Sequence, residues 1–241
     1  MSQDAETILI LTGAGISAES GLSTFRDKGG LWRRYETADV ATPEGFARDP
    51  HLVHEFYNLR RRKLATVFPN AAHKALARLQ RDYPGRVVIV TQNVDDLHER
   101  AGGRDIIHMH GEILKMRCTA CGESRRRVDD LGPTLPCPDC GQQGTLRPDV
   151  VWFGETPCHL PRIQTALGAC GLFLSIGTSG NVYPAAGFVA AAHARGVPTV
   201  ELNLEPSEQN GHFGEARYGP ATSVVPAWVD RFLEQFGKDR R

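Results

Sequence analysis

Four of the six cysteines fall as two tight pairs, "CTAC" at 118–121 and "CPDC" at 137–140, with fifteen residues between them. Each pair can place two sulfurs on one metal ion, and two pairs at this separation match a four-cysteine zinc ribbon. Cys118, Cys121, Cys137 and Cys140 are therefore the expected ligands of a single Zn2+. Four thiolates leave no open position for water, so such an ion is structural and not catalytic. Cys158 and Cys170 stand apart and read as ordinary, half-buried thiols. A second chemical signal is "TILILTGAGISAESGL", which puts Gly13 and Gly15 straight after an apolar run, with Ala18 at the third small position. Backbone amides and a helix N-terminus at such a turn suit a pyrophosphate. The loop alone is a weak dinucleotide signal, equally met in a tight strand-to-helix turn, and does not say whether NAD carries a hydride or is consumed. In "HMHG" either His108 or His110 could act as a base near neutral pH, because strand alternation leaves both on one side.

The elements that must carry these groups are legible in outline. "TILILTG", "RVVIVTQN", "DIIHMHG", "LFLSIGTS" and "PTVELNLE" are short apolar runs ending in glycine or polar residues, separated by helix-like stretches. They read as buried parallel strands of an α/β sheet, with chemistry beyond their carboxyl ends. The expected fold is a Rossmann-like parallel-sheet domain (about 1–30, 71–113 and 149–241). It is interrupted by a helical insertion at about 31–70 and a zinc-ribbon module at about 114–148. The module is rich in Cys, Gly and Pro and too poor in large apolar groups to build a core without its metal. No internal repeat or low-complexity segment is evident.

With 241 residues, 41% of them hydrophobic, the chain can bury a substantial core. The 28 basic and 28 acidic residues cancel, so composition gives no electrostatic reason to expect nucleic acid or membrane as a partner. The N-terminal apolar run breaks at glycine too early for a signal peptide or spanning helix, and the expected location is cytoplasmic, as a monomer. Two rival readings stay on the table at this stage: an NAD-dependent dehydrogenase using the glycine loop, and a zinc-ribbon interaction module without catalysis.

Four segments, "GAGISAESGLSTFRDKGGLW", "TQNVDDLHERAG", "HMHG" and "GTSGNVYPAA", occur in an order and separation that resembles the sirtuin family of NAD-dependent protein lysine deacylases. The resemblance runs from the first strand through "ELNLEPS". It implies that Gly13, Ala14, Gly15, Ser17, Glu19, Thr24, Phe25, Arg26 and Trp32 line an NAD pocket. Gln92, Asn93, Val94 and Asp95 would surround the nicotinamide ribose. Gly177, Thr178, Ser179, Asn203, Leu204, Glu205 and Ala221 would complete the phosphate and adenosine side. It selects His110 as general base, with Asn93 and Asp95 beside it in catalysis. Val151, Phe153, Gly154 and Glu155, in "VVWFGE", match the family's peptide-binding strand, where an acylated protein lysine would bind as extended peptide. NAD would be a co-substrate: nicotinamide leaves, and the acyl group ends on ADP-ribose.

The stretch "FYNLRRR" at 56–62 is bland as a charged helix face. On a helix Tyr57 shares a face with both Arg60 and Arg61, so spacing does not choose between them. The sirtuin branch that removes acidic acyl groups carries Tyr-x-x-Arg here, matched by Tyr57 and Arg60, with the small Ala41 leaving room for a longer chain. A succinyl or malonyl carboxylate enters an apolar tunnel only if its lost hydration is compensated, and a guanidinium fork with a phenol donor does so. Acetyl-lysine needs neither and is also expected as substrate.

Overall fold

The computed structural model describes residues 6–23 and 35–238. All five apolar runs are strands: β1 (Thr7–Thr12), β2 (Val87–Thr91), β3 (Ile106–His108), β7 (Cys170–Ile176) and β8 (Thr199–Asn203). With β9 (Glu215–Tyr218) they form a parallel sheet of order β3-β2-β1-β7-β8-β9. This is the strand order of a dinucleotide-binding fold, whose switch point lies between β1 and β7. β9, "EARY", has no apolar run because it is a largely exposed edge strand, and sequence pattern misses it for that reason.

The period of two explains the continuous apolar strands. Ile8 and Ile10 of β1 face α5 (Ala71–Asp82) and α9 (Ala221–Lys238), packing with Leu76, Leu79 and Trp228. Leu9 and Leu11 face the opposite layer, α7 (Leu160–Ala169) and α8 (Phe188–Ala194), packing with Ile163 and Val189. Both faces are covered, so every residue of β2 is buried. Asn70 starts α5 with a capping box: its side chain accepts from the Ala72 amide at 2.9 Å, and His73 returns to the Asn70 amide.

The insertion folds as α2 (Thr37–Val40), α3 (Pro43–Arg48) and α4 (Pro50–Ala65). Thr42 and Asp49 cap α3 and α4, each followed by proline at the first turn. α4 buries Val53, Phe56, Tyr57 and Leu64 in a cluster with Ile113, Val150 and Trp152. A separate antiparallel sheet, β5-β4-β6, comprises β4 (Gly111–Cys118), β5 (Ser124–Arg126) and β6 (Leu146–Val150). Pairing of Gly111 with Val150 extends it a few residues beyond the Cys-rich stretch at both ends. Segment 151–155 is not a strand: β6 stops at Val150 and the chain turns at Phe153 and Gly154, where glycine takes φ +89°. Among the described residues, no helix is long and apolar enough to cross a membrane.

At the switch point two loops meet backbone on backbone. The Gly13 amide donates to the Ile176 carbonyl at 3.0 Å and the Gly15 amide to Gly177 at 2.8 Å. A Cβ on Gly15 would lie 2.7 Å from Gly177 Cα, and one on Gly177, at φ +61°, 2.4 Å from the Ile16 nitrogen. The glycines are thus required by each other before any ligand is considered. Gly15→Ala is expected to cost about 1–3 kcal/mol by overpacking, read as a lowered Tm in thermal denaturation; an unchanged Tm would mean that the loops part freely.

Candidate active site

The crevice beyond β1 and β7 is lined by residues from four strand ends. Helix α1 (Gly15–Ala18) after β1 is a single turn, so the helix dipole expected from the glycine motif is slight, and polar atoms of the loops must do most of the holding. Gln92, after β2, donates from Nε2 to Thr178 Oγ1 at 3.0 Å, and Asn203, after β8, donates from Nδ2 to the Thr178 carbonyl at 2.8 Å. Thr178 therefore ties the central loops to one another. Ser179 is half-buried beside it, while Leu204 and Glu205 are exposed beyond Asn203. Glu19 accepts from the amide and hydroxyl of Thr222 at 2.9 and 2.6 Å, setting its carboxylate at the start of α9 next to Ala221.

Beneath the glycine loop lies a buried polar layer. Ser17 donates to Asp95 Oδ2 at 3.1 Å and receives Asn93 Nδ2 at 3.2 Å, and the Leu97 amide donates to Asp95 Oδ1 at 3.1 Å. Burial raises the Asp95 pKa, and the Leu97 and Ser17 bonds hold it back. His73 Nε2 lies 3.4 Å from Ser17 Oγ, and His98 Nε2 is 3.0 Å from Thr12 Oγ1, which donates to Thr91 Oγ1. Burial lowers His73 to about 4 and His98 well below its usual value, so both stay neutral. Sequence reading missed His73 and His98; the Asn-x-x-His start of α5 was the one available signal for His73.

The two histidines of "HMHG" separate by environment. His108 is buried against Glu99, Nε2 to Oε1 2.8 Å; burial pulls its pKa down, but the carboxylate overrides this and the net shift is upward. His110 is half-buried with Nδ1 3.0 Å from the Gln92 carbonyl. A carbonyl only accepts, so Nδ1 carries the proton and Nε2 keeps its lone pair. Burial lowers the His110 pKa, partly offset by that bond. Val94 sits between Asn93 and Asp95, with its carbonyl accepting from Ile113 at 2.9 Å.

The far wall is built by α4 and segment 151–155. Tyr57 is buried, its hydroxyl accepting from Trp152 Nε1 at 3.0 Å, and burial raises its pKa. The Arg60 guanidinium lies 5.5 Å from both the Phe56 and Tyr57 ring centres. Burial lowers its pKa, with Tyr57 and Asp95 opposing. Ala41 is buried in the same apolar cluster as Tyr57, and its carbonyl accepts the Phe153 amide at 2.9 Å. The Val151 amide donates to His110 O at 2.9 Å, which joins this wall to the histidine. Phe153 is 49% exposed. The Glu155 carboxylate is turned inward: it receives Arg147 at 2.6 and 2.9 Å and the Trp152 amide at 2.8 Å, while Arg147 stacks on the Trp152 ring at 3.4 Å. Trp152 and Arg147, absent from the sequence-based set, organise this wall. Thr24, Phe25, Arg26 and Trp32 lie outside the described residues.

Comparison with known proteins decides the lineage. The Sir2 family model matches residues 13–184. A protein of Caulobacter vibrioides named NAD-dependent protein deacylase is 56% identical over 94% of this chain and 96% of its own. One of the same name from Pasteurella multocida is 55% identical, covering 94% and 97%. This chain belongs to the Sir2 family. Among solved structures, a Sir2 homologue–NAD complex superposes with TM-score 0.87 at 39% identity, covering 95% of this chain and 90% of that one. A Sir2 bound to acetylated peptide gives 0.78 at 26%, covering 96% and 93%.

In this Sir2 chain the four cysteines converge as expected. Their ligand atoms all lie within 4.8 Å of one another, with Cys118–Cys140 and Cys121–Cys137 sulfurs 3.7 and 3.8 Å apart. Zn–S bonds of about 2.3 Å in a tetrahedron put neighbouring sulfurs about 3.8 Å apart. The donor set fits structural zinc. Among the described residues, the module's own core is the small cluster of Met116, Cys118, Leu131, Cys137 and Leu146, with Leu135 against it. Cys137→Ser is expected to abolish stoichiometric zinc by elemental analysis and to lower the Tm; a zinc-free variant melting like the wild type would exclude a structural ion.

Proposed function

We propose that this chain is an NAD-dependent protein lysine deacylase that removes succinyl and malonyl groups as well as acetyl. The close relatives named as deacylases support the reaction class. The acidic preference rests on one observation: a guanidinium and a phenol, Arg60 and Tyr57, held side by side on the wall that also carries Trp152 and the His110-linked Val151. Ala41 keeps that wall open to a longer chain.

NAD is consumed as co-substrate. The loops carrying Gly13, Ala14, Gly15, Ser17, Gly177, Thr178 and Ser179 hold its phosphates and riboses, with Asn203, Leu204, Glu205, Glu19 and Ala221 on the adenosine side. Gln92, Asn93, Val94 and Asp95 orient the nicotinamide ribose, so that its anomeric carbon is presented to the acyl oxygen in a fixed geometry. His110 then takes the proton of a ribose hydroxyl at Nε2, the nitrogen left basic by the Gln92 bond. The peptide lies along Val151, Phe153 and Gly154. Glu155 acts by bracing that segment through Arg147, a narrower role than contact with the substrate.

The decisive experiment compares acetyl-lysine and succinyl-lysine versions of one peptide, following nicotinamide release. A charge-assisted hydrogen bond is worth about 1.5–3 kcal/mol, so Arg60→Met should lower succinyl kcat/KM about ten- to hundredfold and acetyl kcat/KM far less. Equal survival of both activities would leave Arg60 a packing partner of Phe56 and Tyr57 with no part in acyl recognition. His110→Ala should keep NAD binding by calorimetry and lose most turnover. Since His110 works neutral and burial moves its pKa below 6.5, the chemical step should hold its rate at neutral pH and fall on acidification with a midpoint under 6.5; an acid limb above that value would point to another base.

A further inference from the structure

Helix α4 has two working faces, and the second has no place in the reaction described above. Tyr57 and Arg60 line the site. Asn58 and Arg61, each one residue further along and so turned by about 100°, face the zinc module. Asn58 donates from Nδ2 to the Leu131 carbonyl at 2.7 Å and accepts the Leu131 amide at 2.9 Å, so a side-chain amide pairs with that backbone as a neighbouring strand would. Arg61, 1% exposed, donates from Nη1 to Asn58 Oδ1 at 2.7 Å and from Nε to the Ile113 carbonyl of β4 at 3.1 Å. Arg62 closes the same edge with Asp130 at 3.0 Å. Leu131 in turn packs with Cys118 and Cys137 in the small core of the module.

A continuous run of contacts therefore leads from the zinc thiols through Leu131 and Asn58 to the turn of α4 that carries Arg60. The next tie lies beyond it, where Arg100 donates to the carbonyls of Leu64 and Val67. Arg61 is a costly way to make such a joint. Burial lowers its pKa to about 10, and a desolvated cation is compensated only when its bonds are well placed. An apolar side chain would fill the space with less penalty but would leave the rotation and axial position of α4 unspecified. A carboxylate reader needs that specification, because its fork must meet two oxygens in one plane.

We propose that Asn58 and Arg61 are positioning residues through which the zinc module holds Arg60 and Tyr57 in register with the acyl chain, making the module a determinant of selectivity for acidic acyl groups. The proposal rests on the reading of Arg60 as the carboxylate partner. Asn58 bonds Leu131 and Arg61, whereas Arg61 also holds Ile113, whose amide donates to Val94 of the ribose segment, so loss of the Asn58 bonds should act on the acyl wall more than on the steps both substrates share.

The test is the ratio of succinyl to acetyl kcat/KM in the zinc-loaded enzyme, measured for wild type, Asn58→Ala and Arg60→Met. Asn58→Ala is expected to lower the ratio about three- to thirtyfold, chiefly through the KM of the succinyl peptide, with one zinc per chain retained. A joint that is merely structural would lower both substrates by the same factor, and that result, or an unchanged ratio, overturns the proposal. Should Asn58→Ala fail to fold, Asn58→Asp keeps an acceptor for the Leu131 amide and Arg61 but sets a carboxylate oxygen against the Leu131 carbonyl in place of the donor, and must shift the ratio in the same direction. If Arg60→Met leaves the ratio untouched, the carboxylate reading itself falls; if it collapses the ratio while the Asn58 variants do not, only the link to the zinc module falls.

Discussion

Everything in this molecule is arranged around the contact between the loops after β1 and β7. Gly15 and Gly177 approach so closely that neither tolerates a Cβ, and their amide–carbonyl bonds close the centre of the sheet at its switch point. That closure gives the crevice a floor made of backbone, with Thr178 as the post to which Gln92 and Asn203 are tied. It also sets Ser17 above Asp95 and Asn93, so these polar residues are fixed by hydrogen bonds to each other before any ligand arrives. Preorganisation of this kind lowers the cost of orienting two substrates at one carbon.

Burial is used selectively to set protonation. His73 and His98 lie under the floor and are kept neutral by desolvation, which suits rings bonded to the uncharged hydroxyls of Ser17 and Thr12. His108 and His110 are two residues apart and opposite in fate, because only His108 has a carboxylate, Glu99, against its ring. The Gln92 carbonyl leaves His110 with a defined tautomer. One strand end thus holds one histidine paired with a carboxylate and one whose pKa burial lowers and whose tautomer a carbonyl fixes.

The wall of α4 and segment 151–155 is assembled from pieces that are weak alone. The zinc module has a core of a few residues, the insertion is three short or capped helices, and segment 151–155 is a turn. They stiffen one another: Trp152 bonds Tyr57, Arg147 and Glu155 fix Trp152, Ala41 takes the Phe153 amide, and Asn58 takes Leu131. A wall built from such cross-links can present a charged fork at a precise place without a large core of its own.

The sequence by itself determined whatever is encoded by spacing within one element or one motif. The alternation in β1 and the continuous apolar runs dictated a doubly covered parallel sheet, and the two Cys pairs dictated the metal site. The glycine loop marked the switch point, although its glycines answer first to Gly177 and only then to a ligand. The edge strand β9 escaped because an exposed strand carries no apolar period. Helical spacing left Arg60 and Arg61 equivalent and only the family resemblance favoured Arg60; tertiary structure decided that Arg61 is the one buried against the zinc module. It also decided that Glu155 turns inward to Arg147, and which residues receive His73 and His98. Those outcomes depend on bonds such as Asn58 to Leu131, 73 residues apart, and Tyr57 to Trp152, 95 apart. A helical or strand period says which residues share a face; only the packed neighbours say what that face meets.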